Sequence, residues 1–157
     1  ATGLAIAREV GNRRTEGAVL EALGAVEHEH GSAELALARY EEALALHRSV
    51  GNRRAQGTVL VRLAELHLLA GRLDEARAAC AQGEAQMRAI DDRLDLVELL
   101  CVRVRLELAC GDRAAAQASL DDATRGAEAL RLDPQSRLWS DLAALRAALA
   151  RSDATAR

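Results

Sequence analysis

Lysine and phenylalanine are both missing from this sequence, so all 21 of its basic residues are arginine. The lack of lysine removes Schiff-base chemistry, a lysine nucleophile and the lysine of a phosphate-binding P-loop. We attribute the arginine bias to codon usage in a GC-rich bacterial genome. Aromatic side chains are reduced to Tyr40 and Trp139. A core without aromatic bulk must be filled by Ala, Leu and Val, which suits helices packed at close range. Proline occurs once, at Pro134, so nothing interrupts long helices elsewhere. Cys80, Cys101 and Cys110 form an odd set without C-x-x-C spacing, which speaks against a disulfide scaffold or a structural zinc site. Free thiols in a reducing cytoplasm are expected instead. No apolar run approaches the length of a bilayer span, and a net charge of −3 offers no general attraction to nucleic acid or an anionic membrane.

What is present is a repeat. Val10-Gly11-Asn12-Arg13-Arg14 returns as Val50-Gly51-Asn52-Arg53-Arg54, and stretches 10–49 and 50–89 align without a gap. A third copy, 90–129, keeps the frame: Gly31, Gly71 and Gly111 recur, as do Ala36, Ala76 and Ala116, and Leu20, Leu60 and Leu100. A fixed period of this length is the mark of a solenoid, whose units must stack to bury their apolar faces.

Each unit reads as two helices. The first spans Arg13 to His30 with an apolar stripe at Val19, Leu20, Leu23 and Val26. Gly31 ends it and Ser32 caps the second, Ala33 to Val50, which carries Leu35, Ala36, Tyr40, Ala43, Leu44 and Leu46. In the third unit Asp112 is the expected cap. Small residues (Ala36 with Gly24, Ala76 with Ala64) let two backbones approach closely. Asp133 and Pro134 are expected to open a last helix bearing Trp139, Leu142, Ala143 and Leu149. The organisation expected is one domain: 1–10 the end of a preceding repeat, 11–50, 51–90 and 91–132 three repeats, 133–151 a capping helix and 152–157 a tail. The whole reads as a piece of a longer array.

The run Leu20-x-x-Leu23-Gly24, followed by Gly31, Ala36, Tyr40 and Ala43, resembles the tetratricopeptide repeat signature. The longer period and its Gly-Asn-Arg-Arg turn resemble the kinesin-light-chain-like subtype found in large bacterial regulators. The resemblance implies an all-α, right-handed superhelical solenoid of antiparallel helix pairs, acting as a protein-interaction module. Glu27, Gly83 and Arg103 depart from it, standing where the family has a tyrosine, a small alanine and a core leucine.

No catalytic motif, cofactor loop or metal-ligand set is present. His28 and His30 stand two apart and project to different sides of a helix, and His47 and His67 lie in other helices. His67 reads as packed between helices. Carboxylates about one turn from arginine, as in Glu34 with Arg39 and Asp74 with Arg77, read as a solvated face.

Two surfaces remain as candidates for binding. The first is a stripe offset from the core on each first helix: Ala18, Glu21, Ala25 and His28; Thr58, Val61, Glu65 and Leu68; Glu98, Cys101, Arg105 and Leu108. The resemblance implies that this face lines the concave surface. Its mixture of Glu and apolar side chains suits a protein or peptide with apolar anchors and some basic character. The second is an edge of arginines, Arg13, Arg14, Arg53, Arg54 and Arg93, which recur at one turn of successive units. They either complement the ends of the preceding helices or grip an acidic partner. Weak self-association through the N-terminal end is also expected. A receptor for a small molecule or signal peptide, and an enzyme assembled across repeats, are the other functional readings.

Overall fold

The structure, a computed structural model, describes residues 3–155. Its described residues form helices and turns without a strand: α1 (Gly3–Glu9), α2 (Arg13–Glu29), α3 (Ala33–Ser49), α4 (Arg53–Leu69), α5 (Leu73–Ala89), α6 (Arg93–Ala109), α7 (Arg113–Ala129) and α8 (Arg137–Thr155). From α2 to α7 every helix has 17 residues.

The regularity comes from the turns. Every twentieth residue takes the left-handed conformation: Gly11, Gly31, Gly51, Gly71 and Gly111, with φ from 65° to 78°, and then Asp91 (φ 54°) and Arg131 (φ 51°). Glycine enters that region freely, whereas a side chain strains it. The turn closes on itself, with Gly31 N–H donating to the His28 carbonyl (2.9 Å) and Ser32 N–H to that of Glu27 (2.8 Å). The helix that follows is capped where a short polar side chain can reach back. Asn12, Asn52, Asp92 and Asp112 accept from the N–H of Thr15, Ala55, Asp95 and Ala115. Ser32 occupies the capping position of α3 but makes no side-chain bond there, contrary to expectation.

Consecutive helices pair as hairpins, α2 with α3, α4 with α5 and α6 with α7, and α3·α4, α5·α6 and α7·α8 join them. In addition α4 packs on α6 and α6 on α8, while nothing comparable links α3 with α5 or α5 with α7. Helices α4, α6 and α8 therefore form the crowded inner layer of the stack, with α2 joined to it through α3, and the odd-numbered helices lie on its outer side. This is an all-α helical solenoid.

Small residues set the spacing between layers. Ala36, Ala43, Ala64 and Ala76 are fully buried. A Cβ on Gly24 would lie 3.1 Å from the Tyr40 ring, so this glycine makes room for the aromatic side chain of α3. Gly83, a departure from the family pattern, does the same for Leu99 of the next unit, whose Cδ2 would stand 3.1 Å from an added Cβ. Arg103, the second such departure, lies outside the leucine core. It bridges Glu84 of α5 (2.7 Å), Glu107 of its own helix (3.2 Å) and the buried Ser119 hydroxyl of α7 (2.9 Å). Glu27, the third, pairs with Arg39 at 3.5 Å. One apolar cluster runs from Leu20 to Leu106, and a second from Val97 to Leu149, with Leu96 packed against both. Full burial of side chains such as Leu20 and Leu99 contributes roughly 2–3 kcal/mol each.

Several sequence expectations need correction. Val26 is 50% exposed, although its counterparts Leu66 and Leu106 are buried. Leu35 is 55% exposed and Ala143 is also exposed, while Leu37 and Leu145 take the inward positions. Arg39 pairs with Glu27 and Glu42 rather than Glu34, which instead meets Arg72; Asp74 with Arg77 holds at 2.7 Å. Asp133 caps a turn that contains Pro134, accepting from Gln135 N–H at 2.8 Å, and the last helix opens only at Arg137. That helix continues to Thr155, so most of the expected tail is helical, and 156–157 lie outside the described residues, as do Ala1 and Thr2.

Candidate functional site

On the inner layer, α2, α4, α6 and the first turns of α8 surround a hollow of about 370 Å³. Ala25, His28 and Glu29 of α2, Arg62, Glu65, Leu68 and Leu69 of α4, Arg105 of α6 and Arg137 of α8 line it, with Tyr40 of α3 at its back. A smaller neighbouring pocket continues along α6 and α8, where Arg62, Glu65, Glu98 and Arg105 meet Leu138 and Asp141 over a floor of Val61 and Cys101. The two share Arg62, Glu65, Arg105 and Arg137, so they are parts of one groove.

The structure thus brings together Ala25, His28, Val61, Glu65, Leu68, Glu98, Cys101 and Arg105 of the offset stripe. Four members, Ala18, Glu21, Thr58 and Leu108, stand apart. Glu21 lies against His47 (3.5 Å), and the Thr58 hydroxyl donates to Asp95 at 2.8 Å between α4 and α6. Val61 and Cys101 are only 3% and 2% exposed, so they offer a floor rather than a gripping surface. Burial pushes the Cys101 thiol up to about 11 and the Cys80 thiol up to about 12, leaving Cys110 as the exposed one.

The charges are arranged in a way that the sequence hid. Glu65 sits between two guanidinium groups, Arg62 at 3.3 Å on its own helix and Arg105 at 3.4 Å on the next unit. Its side chain is 21% exposed, against 42% for Arg62, 41% for Arg105 and 93% for Arg137. Burial also raises the Glu98 carboxyl above its ordinary range, and nearby Asp95 adds to the effect. Of the carboxylates expected to attract a basic partner, Glu65 is recessed and paired, Glu21 lies against His47 and Glu98 is recessed, while Arg62, Arg105 and Arg137 line the groove together with the exposed Glu29 and with Asp141. Arg62 and Arg137 were not part of the sequence-derived stripe. Arg62 adjoins it by one position, and only the packing of α8 on α6 carries Arg137 there.

The second candidate surface is differently built. Arg13, Arg53 and Arg93 are the first residues of α2, α4 and α6, and Arg14 and Arg54 the second. They sit at helix starts, where the positive end of the dipole gives them no support. Arg93 pairs with Asp91 (2.9 Å) and Arg54 with Asp92 (3.2 Å), while all five remain exposed along one edge.

The two histidines divide: His28 faces the hollow, and the Nδ1 of His30, the residue that ends α2, lies 2.7 Å from the Val26 carbonyl. His67 is half-buried, and burial pushes its imidazole below the ordinary value. Among the described residues no cluster of three or more His, Cys, Asp or Glu side chains is gathered as metal ligands, and no helix is long and apolar enough to cross a membrane. No family model matches the chain, and no curated protein matches it.

Proposed function

We propose that this chain is a protein-interaction module of the tetratricopeptide kind, which docks a segment of another protein in the groove along α2, α4, α6 and α8. The observation that carries the reading is convergence. Four helices, α2, α4, α6 and α8, place His28, Arg62, Glu65, Leu68, Arg105 and Arg137 around one hollow. Apolar contact with Leu68 and Leu69 supplies affinity, and the protruding guanidinium groups select the charge of the guest. The matching partner is a segment with apolar side chains beside carboxylates, rather than the basic one expected from the glutamates alone. By the same resemblance the chain serves as a sensing or docking arm of a larger cytoplasmic bacterial regulator, and it acts without a catalytic group or cofactor of its own.

The test uses peptides selected from a random library on the intact chain. Reversing Arg62 and Arg137 to Glu should weaken their binding at least about tenfold, near 1.4 kcal/mol. Reversing Arg13, Arg53 and Arg93 should leave it unchanged. Loss confined to the second set would move the site to the arginine edge, and loss in neither would remove both surfaces. Exchanging Glu65 and Arg105 for each other is the wrong experiment, because the swap preserves their pair.

A further inference from the structure

The first hairpin holds an ionisable pair where the other hairpins hold apolar side chains. Glu21 occupies the register of Val61 and Cys101, and His47 that of Met87 and Ala127. In the second unit Met87 packs on Gly57, with two of its atoms 3.4 Å from where a Cβ would be. In the first unit the His47 ring fills the same slot against Gly17, so tightly that an added Cβ would lie 2.7 Å from its Cε1. His47 is 1% exposed, and neither ring nitrogen has a hydrogen-bond partner. Its Nε2 stands 3.5 Å from a Glu21 carboxylate oxygen. An imidazole in a methionine slot, facing a carboxylate in a valine slot, is a substitution of both members at once.

His47 is buried and the Glu21 side chain is 28% exposed, so the charge states of the pair differ in how much unmatched charge they leave between the helices. With no proton it carries one negative charge, with one proton it is neutral overall, and with two it carries one positive charge. Only the neutral state avoids an unmatched charge between packed helices. We propose that the Glu21–His47 pair is a proton-dependent latch, which holds α3 against α2 while it carries one proton and loosens the hairpin when that proton leaves.

The surroundings leave this balance to the pair. From α4, Arg62 acts on Glu21 in favour of its charged form, and from α6 Asp95 acts against it. Gln56 of α4 is uncharged and donates to the His47 carbonyl at 3.2 Å. Burial pushes the Glu21 carboxyl up, and His47 opposes this only in part. The sign follows from that direction. A carboxyl raised in the folded state binds more proton there than in the unfolded chain, so on this side of the neutral state the contribution of Glu21 is present at the lower pH. It is lost as pH rises from the ordinary carboxyl range through the raised one. Because α2 also carries Ala25 and His28, the latch governs one wall of the hollow.

The second unit supplies the apolar replacement. Amide exchange across α2 and α3, corrected for its intrinsic pH dependence, should speed up in the native chain as pH rises through the titration of the pair. One proton lost sets the limit at about tenfold per pH unit. In the double variant Glu21→Val/His47→Met this acceleration should disappear, leaving only what the remaining histidines contribute. The same pH dependence in both proteins would overturn the proposal. If the double variant fails to fold, Glu21→Gln serves instead, since it removes the carboxylate at constant shape. It should reduce the pH dependence of exchange in α2 and α3 to what the retained histidines contribute, and an unchanged profile would again overturn the latch.

Discussion

Arg131 holds a left-handed backbone that the turns at Gly11, Gly31, Gly51, Gly71 and Gly111 give to glycine. A side chain in that region is strained by roughly 1–2 kcal/mol, so Arg131→Gly should stabilise the chain by about 1 kcal/mol, less the added freedom of an unfolded glycine. Denaturant unfolding measures it directly, and a lower midpoint would mean that the Arg131 side chain contributes more than its backbone loses. Asp91→Gly should gain less, because aspartate tolerates this conformation better and Asp91 also pairs with Arg93. The twenty-residue rhythm of the turns was legible for this reason: five of the seven positions demanded a residue that stands out. Which exposed polar groups would pair was not, because Arg39 selects Glu27 across the hairpin and Glu42 on its own helix over Glu34.

At the scale of the helix, small side chains decide how closely two layers approach. Ala76 is fully buried at the α4–α5 contact, where the counterparts Ala36 and Ala116 are equally enclosed. Ala76→Leu should overpack this contact and cost roughly 1–3 kcal/mol, read as a lower urea midpoint with the helical spectrum retained. An unchanged midpoint would place that position outside the contact. Helix existence and pairing could be read from such residues because their period is local. Helix faces could not be read as securely. Val26 lies in the apolar stripe of α2, yet it is 50% exposed, because spacing sets a helix face and not what packs on it. The opening of α8 was misplaced because Asp133 and Pro134 favour a helix start and a turn equally well, and the chain uses them for the turn.

Across the whole molecule, stacking turns a repeated local pattern into a surface that belongs to no single unit. The stripe located α4 and α6 on that surface, since a helix face follows from spacing alone. It overstated Val61 and Cys101, which the stack buries, and it missed Arg62 and Arg137. Arg137 comes from a helix outside the repeat frame, and nothing in local spacing announces its arrival beside Arg105. Glu65 is likewise less available than its spacing suggests, because Arg62 and Arg105 enclose it. Amide exchange of the chain with and without a bound, library-selected peptide tests the docking account most directly. Protection should concentrate on α2, α4, α6 and the start of α8, with α3, α5 and α7 little changed. Protection centred on the outer helices, or on the turns that carry Arg13, Arg53 and Arg93, would contradict it.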